Sequence, residues 1–180
     1  MRLFIAIELN DEMKDAFEDI QDAMWDAGMD GRFTSRENLH LTLAFIGEYG
    51  DADRVREVVE GIKVRPFRIS PDGIGAFGDL WWAGIKVAAS SGGAEPLIGL
   101  AKRVRRALSD ADIPFDRKSF TPHITLVRRA ENAGRDEVAE AVAEVMERVK
   151  GTEMTVSSIS LMRSDRGRNG MIYTCIGRSR

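Results

Sequence analysis

The chain is most informative in what it has little of. Among its 180 residues there is one cysteine, Cys175. No internal disulfide can form, and a reducing, cytoplasmic setting is the simplest context. That thiol sits in the apolar stretch MIYTCIG with no activating base nearby, which reads as a buried structural cysteine rather than a nucleophile. No segment reaches the apolar length of a membrane-spanning helix. The opening MRLFIAIEL is too short for a secretory signal and lacks a small-residue cleavage site. No membrane association is therefore expected. Positive charge is not in excess either: 26 Lys and Arg stand against 29 Asp and Glu, a net charge of −3. This excludes a nonspecific nucleic-acid binder held by a global basic field, but leaves room for a small site with a local cationic patch.

Histidine is nearly absent as well, and the two that exist define the sequence. They open the stretches His40-Leu41-Thr42-Leu43 and His123-Ile124-Thr125-Leu126, each reading His, apolar, Thr, apolar. Successive strand side chains point to opposite faces. Each stretch therefore anchors itself by two aliphatics and presents an imidazole and a hydroxyl on its other face.

The rest of the pattern is mixed helix and strand. Residues 2–8 read as a strand, followed by a helix over about 12–27 capped by Asn10 or Asp11, with Met13, Phe17, Ile20 and Met24 at helical spacing. A short extended piece near Arg32–Phe33 precedes the first motif strand, about 39–46. Asp51 caps a helix over 52–61. Strands are expected at 65–71, 74–77 and 80–88, then a helix over 95–111 and the second motif strand over 122–128. A helix over 135–149 follows, and strands at 152–162 and 171–177 flank the polar loop RSDRGRNG as a hairpin.

The two histidines lie 83 residues apart. The same offset carries the first strand onto the end of the strand at 80–88, and the helices at 12–27 and 52–61 onto those at 95–111 and 135–149. Elements in register with two motifs signal an internal duplication. The expectation is one domain over 1–180, built of two intimately packed halves around a pseudo-two-fold axis. His40 and His123 would face each other across a cleft, with Thr42 and Thr125 beside them.

Two facing histidines suit acid–base chemistry, because their ordinary pKa of about 6.5 lets one be protonated and the other neutral near pH 7. Thr hydroxyls can donate to phosphate oxygens. Together the four supply what phosphodiester cleavage needs: a base for water, an acid for the leaving oxygen and donors for developing charge. No second His, Cys or acidic residue stands at ligand spacing, so a metal site is not expected.

These residues, with RLFIAIEL, ENLHLTLAFIGE, GIGAFGDLWWAGI, SFTPHITLVR and SLMRSDRGRNGMIY, resemble the 2H phosphoesterase superfamily. Within it they are most similar to the RNA 2′,3′-cyclic phosphodiesterases, also named 2′-5′ RNA ligases. The resemblance covers nearly the whole chain. It implies an α+β, bilobal fold in which two antiparallel sheets form a V-shaped cleft with helices outside. It implies hydrolysis of a 2′,3′-cyclic phosphate on an RNA or nucleotide end to a 2′-phosphomonoester, with 2′-5′ ligation as the reverse reaction. His40 would be the proton donor and His123 the proton acceptor, although the residues themselves leave the two roles interchangeable. Thr42, Thr125, Arg128 and Phe4 would bind substrate. No metal or cofactor is implied, and a monomer is expected.

The sequence departs from the resemblance in places. Phe33 stands where relatives often carry Trp, which would alter base stacking. Strand alternation puts Arg128 on the face opposite His123, so reaching a phosphate requires a twist or bulge; Arg129 and Lys118 are further cationic candidates. Phe4 can line the cleft or pack in the core. Of Trp81 and Trp82, one should be core while the other is free to stack on a base. Two alternatives remain: a related phosphodiesterase acting on another cyclic or 2′-5′-linked nucleotide, and an RNA-end binding module without turnover.

Overall fold

The alternation in RLFIAIE gives a strand, β1 (Arg2–Glu8), with five consecutive buried residues. Leu3, Ile5 and Ile7 join the main core, whereas Phe4 and Ala6 pack on the opposite face with Met162, Phe45 and Tyr173. In the computed structural model, which describes residues 1–180, β1 is followed by α1 (Asp11–Asp26), β2 (Asp30–Phe33), β3 (His40–Glu48), α2 (Ala52–Glu60), β4 (Phe67–Phe77) and β5 (Leu80–Val87). Then come α3 (Glu95–Asp110), β6 (His123–Glu131), α4 (Arg135–Val149), β7 (Met154–Val156), β8 (Ser160–Gly167) and β9 (Gly170–Arg178).

Local chemistry sets the helices. The Asn10 side chain caps α1 by accepting from the Met13 N–H at 2.9 Å, and Asp11 and Glu12 sit at the positive end of its dipole. Asp51 caps α2 by accepting from the Arg54 N–H at 3.0 Å. Leu97, Leu100, Ala101, Val104 and Leu108 form the buried stripe of α3.

The strands form two antiparallel sheets, ordered β3-β1-β8-β9 and β2-β6-β5-β4-β7. Helices α2 and α3 cover the first sheet; α1 and α4 cover the second. Both sheets bury their helix-side aliphatics in one continuous core of 39 residues. The chain crosses between sheets repeatedly. Helix α1 leaves the first sheet to pack on the second, and α3 does the reverse. Strand β4, from the first half of the chain, pairs with β5, while β8, from the second half, pairs with β1. The sheets meet where β3 approaches β6. No helix is long and apolar enough to cross a membrane.

Several elements differ from the sequence-based expectation. The pieces at 65–71 and 74–77 are one strand, β4, with an irregularity between Pro71 and Ile74 that absorbs the missing proline N–H and contains Gly73 at φ 72°. The single strand expected over 152–162 is two strands in different sheets. Its apolar phase flips there: Met154 and Val156 are buried, then Ile159 and Leu161. The second motif strand extends to Glu131, and β8 and β9 continue to a tight turn at Arg168-Asn169 rather than a long loop. Cys175 is exposed, not buried. It lies on the edge strand β9, opposite Met162 and therefore on the face away from the helices.

Candidate functional site

Strands β3 and β6 begin at the two histidines and are equally long, and each is distorted at the same place. On β3, Ala6 faces Thr42 and Ile5 faces Ala44, so Leu43 is the extra residue of a bulge. On β6, Trp82 faces Thr125 and Trp81 faces Val127, so Leu126 is the extra residue. A bulge shifts the alternation by one. Leu126 and Val127 are therefore both buried, and Arg128 returns to the cleft face that carries His123 and Thr125. This resolves the conflict that simple alternation posed for Arg128. In β3 the corresponding position, 83 residues earlier, is Phe45, which packs beside Phe4 and under the Arg2 guanidinium at 4.9 Å.

The bulges are tied down from the helices. The Gln21 amide of α1, buried on the apolar side of its helix, donates to the Leu126 carbonyl at 3.0 Å and to the Thr34 carbonyl at 2.9 Å. Arg105 of α3 donates to the Leu43 carbonyl at 3.2 Å and to the Lys118 carbonyl at 2.7 Å. Each polar group thus clamps the other half's motif strand to the segment that precedes its own half's motif. Sequence reasoning missed both residues; Gln21 left a signal, a polar side chain on the buried stripe of an amphipathic helix, whereas Arg105 is half-buried beside the stripe of α3.

Both imidazoles are oriented alike. The Nδ1–H of His40 donates to the Asn38 carbonyl at 2.6 Å, and that of His123 to the Thr121 carbonyl at 2.6 Å. A carbonyl only accepts, so Nδ1 carries a proton in both rings and Nε2 is the nitrogen left to exchange one. His40 Nε2 lies 2.9 Å from Thr42 Oγ1. The Asn38 amide in turn donates to the Met171 carbonyl at 2.8 Å, fastening the turn before His40 to β9.

His40 is the more enclosed ring. Phe4 lies against it at 4.9 Å between centroids, and Tyr173 meets it edge-on at 5.2 Å. Burial pushes its pKa below the ordinary histidine range, the Asn38 carbonyl opposes that shift, and the positive charges of Arg128 and His123 add to it. Strands β3 and β6, which carry His40 and His123, touch where the two sheets meet. Phe4 is only 3% exposed, so it backs the imidazole and offers a substrate little surface. The half-buried Tyr173 was not singled out from sequence. Thr125 shares the cleft face with Trp82, whose ring stands 6.2 Å from His123, whereas Trp81 is core. Phe33 faces the helix side with Val127 and meets Trp25, so it is not a cleft stacking residue. Lys118 contributes its backbone carbonyl to Arg105 and pairs its ammonium with Asp116. No three His, Cys, Asp or Glu side chains converge on a common point. A hollow of about 330 Å³ beside Met1, Asp51, Arg56 and Arg163 contains neither histidine.

The chain is similar to known proteins over nearly its whole length. A model of the 2′-5′ RNA ligase superfamily matches residues 11–168. An RNA 2′,3′-cyclic phosphodiesterase of Methanothermobacter thermautotrophicus is 30% identical over 97% of this chain and 95% of its own. One of Archaeoglobus fulgidus is 31% identical over 96% of each. A crystal structure of a Thermus thermophilus protein superposes with a TM-score of 0.75 at 28% identity, covering 99% of this chain and 96% of the other.

Proposed function

The chain belongs to the 2′-5′ RNA ligase superfamily, and from that premise we propose that it hydrolyses 2′,3′-cyclic phosphates on RNA or nucleotide ends to 2′-phosphomonoesters, by a two-histidine acid–base mechanism. The observation that carries the reading is the matched anchoring of the two Nδ1 atoms, which leaves one exchangeable Nε2 on each side.

In this mechanism His123 Nε2 takes a proton from water as the water oxygen bonds to phosphorus. The bond from phosphorus to the 3′ oxygen breaks, and His40 Nε2 gives that oxygen its proton. The 2′ ester remains, and solvent exchange resets both rings. Thr42, Thr125 and Arg128 receive the charge on the non-bridging oxygens. Phe4 positions His40 from behind rather than touching substrate. Burial and the Arg128 cation disfavour the imidazolium of His40 in the free chain; in the donor role the ring holds its proton with substrate bound, because the phosphodiester anion returns part of the lost stabilisation. A 5′-hydroxyl in place of water would give a 2′-5′ linkage through the same site. Both histidines come from one chain, so a monomer suffices, and no step calls for a metal.

The test is hydrolysis of a nucleoside 2′,3′-cyclic phosphate in excess EDTA, resolving 2′- from 3′-phosphate product, for wild type and His40→Ala. The expected outcome is 2′-phosphate from the wild type and a rate lower by about 10²–10⁴-fold in the variant. No turnover by wild type on this or other cyclic and 2′-5′ substrates, with nucleotide binding intact, would leave a binding module instead.

A further inference from the structure

We infer that Arg32, beside Arg128 at the edge of the second sheet, binds the backbone phosphate one nucleotide upstream of the reacting end. The preferred substrate is then an RNA strand rather than a free cyclic nucleotide. This rests on the activity proposed above and names its substrate class.

Arg32 on β2 lies directly opposite Arg128 on β6, so the two side chains share the cleft face. Like charges in that relation destabilise a strand pair. Neither guanidinium is offset: Arg36, Arg56, Arg163 and Arg178 are all paired with carboxylates, but Arg32 and Arg128 make no hydrogen bond or ion pair and both are exposed. The backbone enforces the juxtaposition. Between Asp30 and Arg32 the register slips, Gly31 adopts φ 147° and Arg129 φ 54°. A Cβ at position 31 would stand 2.9 Å from the Arg129 carbonyl oxygen and the Val127 side chain. Only glycine lets the edge strand close on the bulged strand and bring the two cations level.

The same end of the sheet offers an aromatic. Phe77 falls on the cleft face, since it faces Leu80 while its neighbour Ala76 faces the buried Trp81. It is 62% exposed, and its ring lies 5.6 Å from that of Trp82. Cations that track a backbone, with aromatic faces alongside, are what single-stranded nucleic acid requires. With the reacting phosphate held between the histidines and Arg128, the next phosphate falls to Arg32 and the upstream base to Phe77.

The test compares kcat/KM for a nucleoside 2′,3′-cyclic phosphate with that for an RNA trinucleotide ending in a 2′,3′-cyclic phosphate, across a salt series. The variants are Arg32→Gln and Arg32→Lys. In the Gln variant the loss on the trinucleotide should exceed the loss on the mononucleotide by about fivefold, the scale of one modest contact. Its salt dependence on the trinucleotide should be shallower by about 0.7 in log–log slope. The Lys variant should keep most of the preference. Its melting temperature tests the alternative of a purely structural residue: Arg32→Gln relieves a like-charge contact, so it should melt no lower than wild type. Equal losses on both substrates, or a marked drop in melting temperature, would overturn the inference while leaving the proposed activity standing. A wild type inert on both substrates would remove the activity itself, and this inference with it.

Discussion

The Gln21 amide and the Leu126 carbonyl are 105 residues apart in the chain and 3.0 Å apart in space. That contact holds the bulge that turns Arg128 into the cleft. Replacing Gln21 with Leu keeps the bulk and leaves the half-buried Thr34 carbonyl without this donor. The expected cost is about 1–3 kcal/mol, read as a drop in melting temperature of roughly 2–4 °C per kcal/mol for a chain of this size. Turnover should fall along with it. A variant that melts like wild type would show that the amide does not secure the strand.

Protonation of His40 should oppose folding. Its pKa in the folded chain lies below the ordinary value, chiefly because of burial. Its contribution to stability is therefore full above about pH 6.5 and is lost as pH falls through the lowered folded value. Chemical denaturation across pH 4.5 to 8 should show that loss, and His40→Asn should flatten it. NMR titration of the His40 imidazole is the direct check: its midpoint should lie below the ordinary histidine value of about 6.5.

Arg128 acts on the same ring. Its charge helps to depress His40, so Arg128→Gln should raise the His40 pKa. The same substitution removes a cation from the proposed phosphate site, and kcat/KM should fall by about 10²-fold. A drop in rate with no movement of the His40 titration would separate Arg128 from His40.

Gly84 faces His123 across the β5–β6 pair, and a Cβ there would sit 2.2 Å from the Asp72 carbonyl oxygen. The clash is with backbone, so the strand must move. Gly84→Ala should destabilise by about 1–3 kcal/mol and reduce turnover. Thermal melting and steady-state rates check both; a neutral variant would mean that the irregularity at Asp72 is soft.

What the sequence disclosed follows from the range over which each feature is determined. The motif strands were legible because histidine is so rare and the His-x-Thr phase is local. The helices were legible from Asn10, Asp51 and their apolar stripes, all set within a few residues. Arg128 was legible only as a conflict. Its resolution depends on a bulge whose carbonyl is gripped from α1, and no local pattern encodes such a grip. Cys175 failed for a related reason: an apolar neighbourhood on an edge strand does not say which face of the sheet is covered. The boundary between β7 and β8 was readable in principle, since the buried parity changes at Ser157-Ser158.

The exchange of strands between the sheets also bears on how the molecule is made. Strand β1 lies between β3 and β8, so the second edge of the first strand synthesised stays open until residues 160–167 have emerged. Strand β4 likewise waits for β5 and β7, its two neighbours in the second sheet. Neither sheet can close on a ribosome-bound half-chain. Folding is therefore a late event, committed only when the C-terminal hairpin is available, and a truncation there would expose the edge of the central strand of the His40 lobe.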